Sequence, residues 1–265
     1  MPDVQLKPGI SGGKWARLRP LCGRDESSLD SSEGTDLVEF VDTLLTEAPG
    51  TSVRPGTAAN LAVSDFDRLC ASIYMECFGE HIESRVACSA CRQSFEMRFS
   101  LLSLMQDLAA RQTNVSGPDE DGVFKSSDGR RFRLPTAGER REVFGLATDA
   151  ARALLLDRCA LDPPESSEVI ESAMDQVGPV LDLDLDAVCP HCSTGQAVRF
   201  DIQSYLFNAL SYEKQFLLYE VHRIAMAYRW TYEEILGLSR DRRRSLVRLI
   251  DLERVSRRRT QSWDI

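Results

Sequence analysis

A helix-rich α+β fold is predicted by three observations on this 265-residue chain. Two Cys-x-x-Cys turns each sit between short stretches of alternating polarity. Long apolar stripes at helical spacing fill the C-terminal quarter. The composition, with 43% hydrophobic and 28% charged residues, is that of an ordinary globular protein. The expected architecture is a split pair of ribbon-like β-hairpins flanked by amphipathic helices.

Residues 1–35 are rich in Gly, Ser, Asp and Pro without a sustained period, so a flexible N-terminal arm is expected there. Residues 36–265 are then one domain. Leu37, Phe40, Val41, Leu44 and Leu45 recur at helical spacing between Asp36 and Glu47. A Pro/Gly loop at 49–56 follows. Ser64 is the expected start of the next helix, with Asp67 completing a capping box and Gly79 supplying the stop. Phe66, Leu69, Cys70, Ile73 and Cys77 line one face of that helix, so Cys70 and Cys77 are read as core thiols.

The first hairpin is expected as a strand from Ile82 to Ala87, the turn Cys88-Ser89-Ala90-Cys91, and a strand carrying Phe95, Met97 and Phe99. A helix from Leu101 to Ala110 comes next. An inserted subdomain at about 111–184 opens with a polar loop, 112–122. It continues with a hairpin around Ser126-Ser127-Asp128-Gly129 and a helix started by Thr136 and Glu139. Val143, Phe144, Ala147, Ala151, Leu154, Leu155 and Cys159 are expected on that helix's apolar face, up to the Pro163-Pro164 breaker. A short helix around 166–176 follows.

Leu181, Leu183, Leu185 and Ala187 alternate with Asp182, Asp184 and Asp186, a strand with its acids in water. The second turn, Cys189-Pro190-His191-Cys192, leads to a strand through Val198 and Phe200. Leu206, Leu210, Leu217, Val221, Ile224 and Tyr228 mark one long helical stripe. Thr231 and Glu234 box the start of a shorter helix, and an Arg-rich helix at 241–259 ends the pattern.

Each Cys-x-x-Cys aims two thiols at one point, and a structural zinc site takes four ligands in a tetrahedron. Cys88, Cys91, Cys189 and Cys192 together are therefore the expected ligand set for one structural Zn2+. The halves also resemble each other. Phe99 lies eight positions after Cys91, Phe200 lies eight after Cys192, and Phe99-Ser-Leu-Leu-Ser-Leu104 matches Phe200-Asp-Ile-Gln-Ser-Tyr205. A degenerate duplication is inferred, forming a split zinc ribbon. The 97 residues at 92–188 are a long insertion for such a ribbon. Loop-closure entropy rises only logarithmically with length, so metal binding can offset it.

Four thiolates close the coordination sphere, so this metal is expected to fasten and not to catalyse. No enzyme is predicted. Of the three histidines, His81, His191 and His222, the last is expected to be buried and hydrogen-bonded, and no nucleophile elbow or phosphate loop is present. No window approaches the roughly 18 apolar residues of a membrane span, and the first residues carry no signal-like run. A cytoplasmic protein with reduced thiols is expected, without membrane or small-molecule partners.

Net charge is −9, but residues 240–259 hold nine arginines against three acids, a local +6 that leaves −15 elsewhere. An acidic body argues against a general nucleic-acid binder. Arg242, Arg243 and Arg244 are read as a solvated or partner-docking surface, with phosphate binding as the alternative. Tyr228, Trp230 and Tyr232 cluster at a helix junction, either as a packed corner or as partner anchors.

The order of these motifs is similar to that of the T4-type baseplate protein family of contractile phage tails and phage-like contractile injection systems. The carrying segments are Phe66-Asp-Arg-Leu-Cys-Ala-Ser-Ile-Tyr-Met-Glu-Cys-Phe-Gly79 running into a Cys-x-x-Cys strand pair, the turn Cys189-Pro-His-Cys192, and Leu218-Tyr-Glu-Val-His-Arg-Ile-Ala-Met-Ala-Tyr-Arg-Trp-Thr-Tyr-Glu-Glu-Ile-Leu-Gly-Leu238 followed by Arg242-Arg-Arg. The resemblance covers roughly residues 60–265. It departs at Ser89, where the family has proline, and in residues 1–35. It implies a non-enzymatic structural or assembly role at the baseplate hub, with hub or spike proteins as partners, in the bacterial cytoplasm or in the assembled tail. The alternative from the residues alone is a zinc-ribbon regulator binding nucleic acid through its Arg-rich helix.

Overall fold

The computed structural model describes residues 3–10, 13–29, 36–110, 114–162 and 167–261, with side chains as far as 254. In chain order the elements are β1 (Asp3–Ile10), β2 (Gly13–Leu18), α1 (Gly23–Ser28), α2 (Leu37–Leu44), β3 (Leu45–Thr46), α3 (Val63–Phe78), β4 (His81–Ala87), β5 (Ser94–Ser100) and α4 (Leu101–Ala109). Then come β6 (Phe124–Lys125), β7 (Arg131–Phe132), α5 (Ala137–Glu142), α6 (Thr148–Cys159), α7 (Ser167–Val177), β8 (Asp182–Val188) and β9 (Gly195–Asp201). Three helices end the chain: α8 (Ile202–Tyr228), α9 (Tyr232–Leu236) and α10 (Arg240–Gln261). The helix-rich α+β class is as expected, with all strands in small antiparallel sheets.

The chain forms two compact units, not one domain with an arm. The first comprises Met1–Leu18 and Val41–Leu206, and the second Arg19–Phe40 and Phe207–Ile265. The predicted flexible arm is corrected accordingly. Its described residues form the β1–β2 hairpin, with β3 as third strand, and helix α1; residues 1–2, 11–12 and 30–35 lie outside the described set. The hairpin is held because Leu6, Ala16 and Leu18 are buried. A buried carboxylate also receives it: Asp65 of α3 accepts from the amides of Lys7 (2.5 Å) and Gly9 (2.7 Å). Those bonds work against the burial that pushes Asp65 toward its neutral form.

Helix α3 is the centre of the first unit, with Phe66, Leu69, Cys70 and Ile73 fully buried. Each large apolar side chain contributes about 1.5–3 kcal/mol. Gly79 ends the helix at φ 88°, its amide bonding to Met75 O at 2.9 Å. The expected start is displaced. Ala62 is the N-cap, and Ser64 makes no cap bond. Asp67 is not a capping residue either. It is buried and accepts from Leu181 N and from Gln203 Nε2, both at 2.7 Å, with Arg140 Nη1 at 3.6 Å. Burial raises its carboxyl to about 6 despite Arg140 and these bonds. The acids near the start of α3 therefore anchor β1 and the β8–β9 region rather than their own helix.

Within the insertion, β6 and β7 pair as predicted, with Phe124 and Phe132 opposite each other and stacked at 5.6 Å. These rings, Leu134, Ile170, Ala173 and Ala62 form one buried cluster. Thr136 and Glu139 make the predicted capping box of α5. The helix does not continue to Cys159, however. Gly145 takes φ 87° after Val143, and a new helix begins at Thr148. Phe144, expected in the apolar face, is 91% exposed. The Pro163-Pro164 breaker lies outside the described residues.

The second unit packs Leu217, Val221 and Ile224 of α8 against Ile235 and Leu236 of α9 and Ile250 of α10. Thr231 and Glu234 form the predicted capping box of α9. The chain around α1 is tied in by backbone bonds, Arg240 N to Leu21 O at 3.0 Å and Gly23 N to Leu238 O at 3.3 Å. No described helix is long and apolar enough to cross a membrane.

Candidate metal centre

Strands β4 and β5 pair from His81↔Ser100 to Ala87↔Ser94, and β8 and β9 pair from Asp182↔Asp201 to Val188↔Gly195. All seven pairs of one hairpin map onto the other under a shift of 101 residues. The turns map as well. Cys88 N bonds to Gln93 O and Cys189 N to Thr194 O, both at 3.0 Å, while Arg92 N bonds to Cys88 O (3.0 Å) and Ser193 N to Cys189 O (2.8 Å). Arg92 and Ser193 both take left-handed φ, 60° and 59°. The inferred duplication is thus visible in register and in turn geometry. Phe99 and Phe200, related by the same shift, meet edge to face with ring centres 5.1 Å apart.

The four cysteines of these turns come together. Their sulfur atoms all lie within 4.8 Å of one another, with Cys88–Cys192 at 3.6 Å and Cys91–Cys189 at 3.8 Å. These distances are far above the ~2.05 Å of a disulfide, and all eight cysteines are free. A tetrahedron with metal–sulfur bonds of about 2.3 Å has edges of about 3.8 Å, so the donor set fits a four-thiolate metal. Cys88 and Cys189 are buried, and with Phe95 and Ala187 they form a small cluster against which Val86, Met97 and Val198 pack. Cys192 is exposed and Cys91 half-exposed, so the cluster is open to an incoming ion on one side.

The surroundings act unevenly on the thiols. The Cys91 and Ala90 amides hold the Cys88 thiol below its ordinary value. The Thr194 hydroxyl, 3.3 Å from Cys192 Sγ, and the Thr194 amide pull Cys192 down to about 6. At Cys91 the Gln93 amide acts the same way, but burial and the sulfurs of Cys192, Cys88 and Cys189 outweigh it, and the thiol rises to about 12. Four thiols this close cannot all ionise alone. A dication held here would replace their protons, so its binding would release protons and tighten as pH rises.

Gln196 adds a bridge between hairpins that the cysteine spacing does not announce: its Oε1 accepts from Ser89 N at 2.8 Å and its Nε2 donates to Ala87 O at 3.2 Å. His191 is exposed in its turn and lies outside the sulfur cluster. His222, expected to be buried, is exposed on α8. The acidic row of β8 is solvated at Asp184 and Asp186, whereas Asp182 is half-buried and paired with Arg199 (2.7 Å) and Arg140 (3.4 Å).

The second unit rearranges the predicted partner residues. Arg243 is fully buried and is corrected from surface to core. Its Nε donates to Glu220 Oε2 and its Nη1 to Leu238 O, both at 2.9 Å, and its Nη2 to Glu26. Arg240, also buried, faces Glu26 (3.4 Å) and Glu213 (3.0 Å). Arg244 pairs with Glu213 and, at 3.4 Å, with Glu220. Three guanidinium groups thereby meet three carboxylates. Desolvation raises Glu26, and Arg243 and Arg240 oppose it. Arg242 alone of the predicted triplet is exposed; the side chains of Arg257, Arg258 and Arg259 lie outside the described set. Tyr228, Trp230 and Tyr232 are each 37–48% exposed, with the Tyr228 and Trp230 rings 5.3 Å apart. On α8 of the same unit, Tyr212, Phe216, Leu218, Tyr219 and Met226 are exposed too.

Comparison with protein-family models, characterised proteins and solved structures finds no match to this chain.

Proposed function

We propose that Cys88, Cys91, Cys189 and Cys192 hold one structural Zn2+, and that the protein is a non-enzymatic structural or assembly component of a contractile-tail baseplate hub. The metal reading is carried by one observation: four sulfurs from two matching hairpins gathered at tetrahedral spacing. Zinc is favoured because an all-thiolate tetrahedron suits a borderline-soft ion without geometric preference of its own. Four protein ligands leave no position for a substrate or an activated water, so the metal fastens the hairpins.

The assembly role rests on the motif order described for the sequence, Cys-x-x-Cys to Cys-x-x-Cys to the long His-containing helix. The exposed apolar side chains of α8 and the Tyr228, Trp230, Tyr232 group support it, since a subunit that works through surfaces displays large apolar and aromatic side chains. The nucleic-acid alternative is weakened at two of its three named arginines: Arg243 is buried against Glu26 and Glu220, and Arg244 is paired with Glu213 and Glu220.

Two measurements test this. Elemental analysis of the reduced native protein is expected to give one zinc per chain. Co-expression with hub and spike proteins of a contractile tail is expected to yield a defined complex. Salt-dependent DNA or RNA binding lost on Arg242→Ala, without any such complex, overturns the assembly reading.

A further inference from the structure

We infer that Gln196 is a positioning residue for the metal centre, gripping the first cysteine turn on both sides of Cys88. The inference rests on the four-thiolate metal reading above. Gln196 belongs by its backbone to the second hairpin, where it stands opposite Ala187. Its side chain crosses to the first hairpin, with Oε1 on the Ser89 amide at 2.8 Å and Nε2 on the Ala87 carbonyl at 3.2 Å. Ala87 and Ser89 are the two neighbours of Cys88 in the chain. One side chain therefore fixes the peptide groups before and after a ligand whose sulfur lies 3.6 Å from that of Cys192.

The duplication explains why only one such residue is needed. Under the 101-residue shift Ser89 corresponds to Pro190, and Gln196 corresponds to Phe95. Pro190 has no amide hydrogen to satisfy, and its ring fixes φ by itself. The residue equivalent to Gln196, Phe95, is apolar and packs with Ala187 and Cys189. Ser89 has a free φ and an amide that needs an acceptor. The residue facing it is the polar one. The residue types thus change together at equivalent positions, Ser89 with Gln196 and Pro190 with Phe95, and the turn that lacks proline is the one bonded by the opposite hairpin.

A ligand held in place on both sides is slow to swing away from a metal, and loss of such an outer partner commonly changes metal affinity by about 10–100-fold. The test is a double-mutant cycle on the full chain loaded with zinc, read as the rate of transfer to a chromogenic chelator. Gln196→Met keeps the side-chain size and removes both hydrogen bonds; transfer is expected to be about tenfold faster. Ser89→Pro installs the residue of the second turn and is expected to retain near-normal transfer. In that background, adding Gln196→Met is expected to accelerate transfer clearly less than it does in the wild-type chain, because only the bond to the Ala87 carbonyl remains to be lost. The visible absorption of the Co2+-loaded proteins supplies the second readout. The tetrahedral thiolate bands should weaken or split in Gln196→Met and be less disturbed in the double variant. A Gln196→Met protein that releases zinc at the wild-type rate overturns the inference while leaving the metal centre intact. So does equal acceleration in both backgrounds, which marks a general packing effect. A wild-type chain that binds no zinc overturns the metal reading itself, and that result is obtained before any variant is made.

Discussion

The first unit gathers polar groups from distant parts of the chain, among them four sulfur atoms, two of them buried, from turns about 100 positions apart. In the second they are guanidinium and carboxylate groups, with Arg243 and Glu26 separated by 217 positions. Both clusters close a long loop, but they obey different rules. Thiols at 3.6–3.8 Å repel once ionised and need a cation from outside to balance them. The Arg240, Arg243, Arg244 and Glu26, Glu213, Glu220 group already balances itself, at the cost of desolvating six charges. The first unit should therefore respond to metal supply, and the second to the loss of any single charge.

The largest expected effect is on the sulfur cluster. Structural zinc contributes on the order of 10 kcal/mol to the folding of small domains, so Cys189→Ser or a strong chelator should abolish hydrogen-exchange protection in β4, β5, β8 and β9. Protection in α8 beyond residue 207 and in α10 should survive; its simultaneous loss would break the contrast. Next is Arg243→Ala, which strands Glu26 and Glu220 in the interior and should cost about 3–5 kcal/mol in denaturant unfolding, with zinc content unchanged. A value below about 1 kcal/mol would mean that the carboxylates find water.

A smaller effect sharpens the picture inside the insertion. Arg133 holds Glu139 down to about 2, with further help from the Thr136 cap. A carboxyl with a depressed folded-state value stabilises above its unfolded value of about 4.3, and that stabilisation disappears as pH falls toward 2. Glu139→Gln should cost about 1–2 kcal/mol at pH 7, and the difference from wild type should shrink between pH 4 and pH 2. The smallest effect is Arg242→Ala. This exposed neighbour of Arg243 should change stability by less than about 0.5 kcal/mol.

How much was legible follows the range over which each device acts. Cys-x-x-Cys, the Thr136 and Thr231 caps and the Gly79 stop are written within five residues and were readable. The pairing of the two turns was readable because a closed zinc site takes four ligands and each turn offers two. The fate of Arg243 was not readable. An arginine run normally marks a wet surface, and nothing local distinguishes Arg243 from Arg242. Only Glu26 and Glu220, distant in sequence, do so. The N-terminal hairpin was hidden for a similar reason. Pro8 and Gly9 obscure the alternation of β1, and its anchor is a carboxylate on α3. Gly145 shows the opposite failure, a local signal outweighed in the reading by an apolar period that the chain does not keep. Gln196 was invisible because its role depends on Ser89 lying where the other turn has proline.

The distance between the two cysteine turns has a consequence for synthesis on the ribosome. At about 5–20 residues per second, the 97 residues at 92–188 delay the second turn by roughly 5–20 s after the first has been made. During that interval Cys88 and Cys91 are a bidentate thiol pair on a nascent chain, open to capture by stray copper or by another unfinished chain. Completion of the β8–β9 hairpin supplies Cys189 and Cys192, so the first pair no longer stands alone.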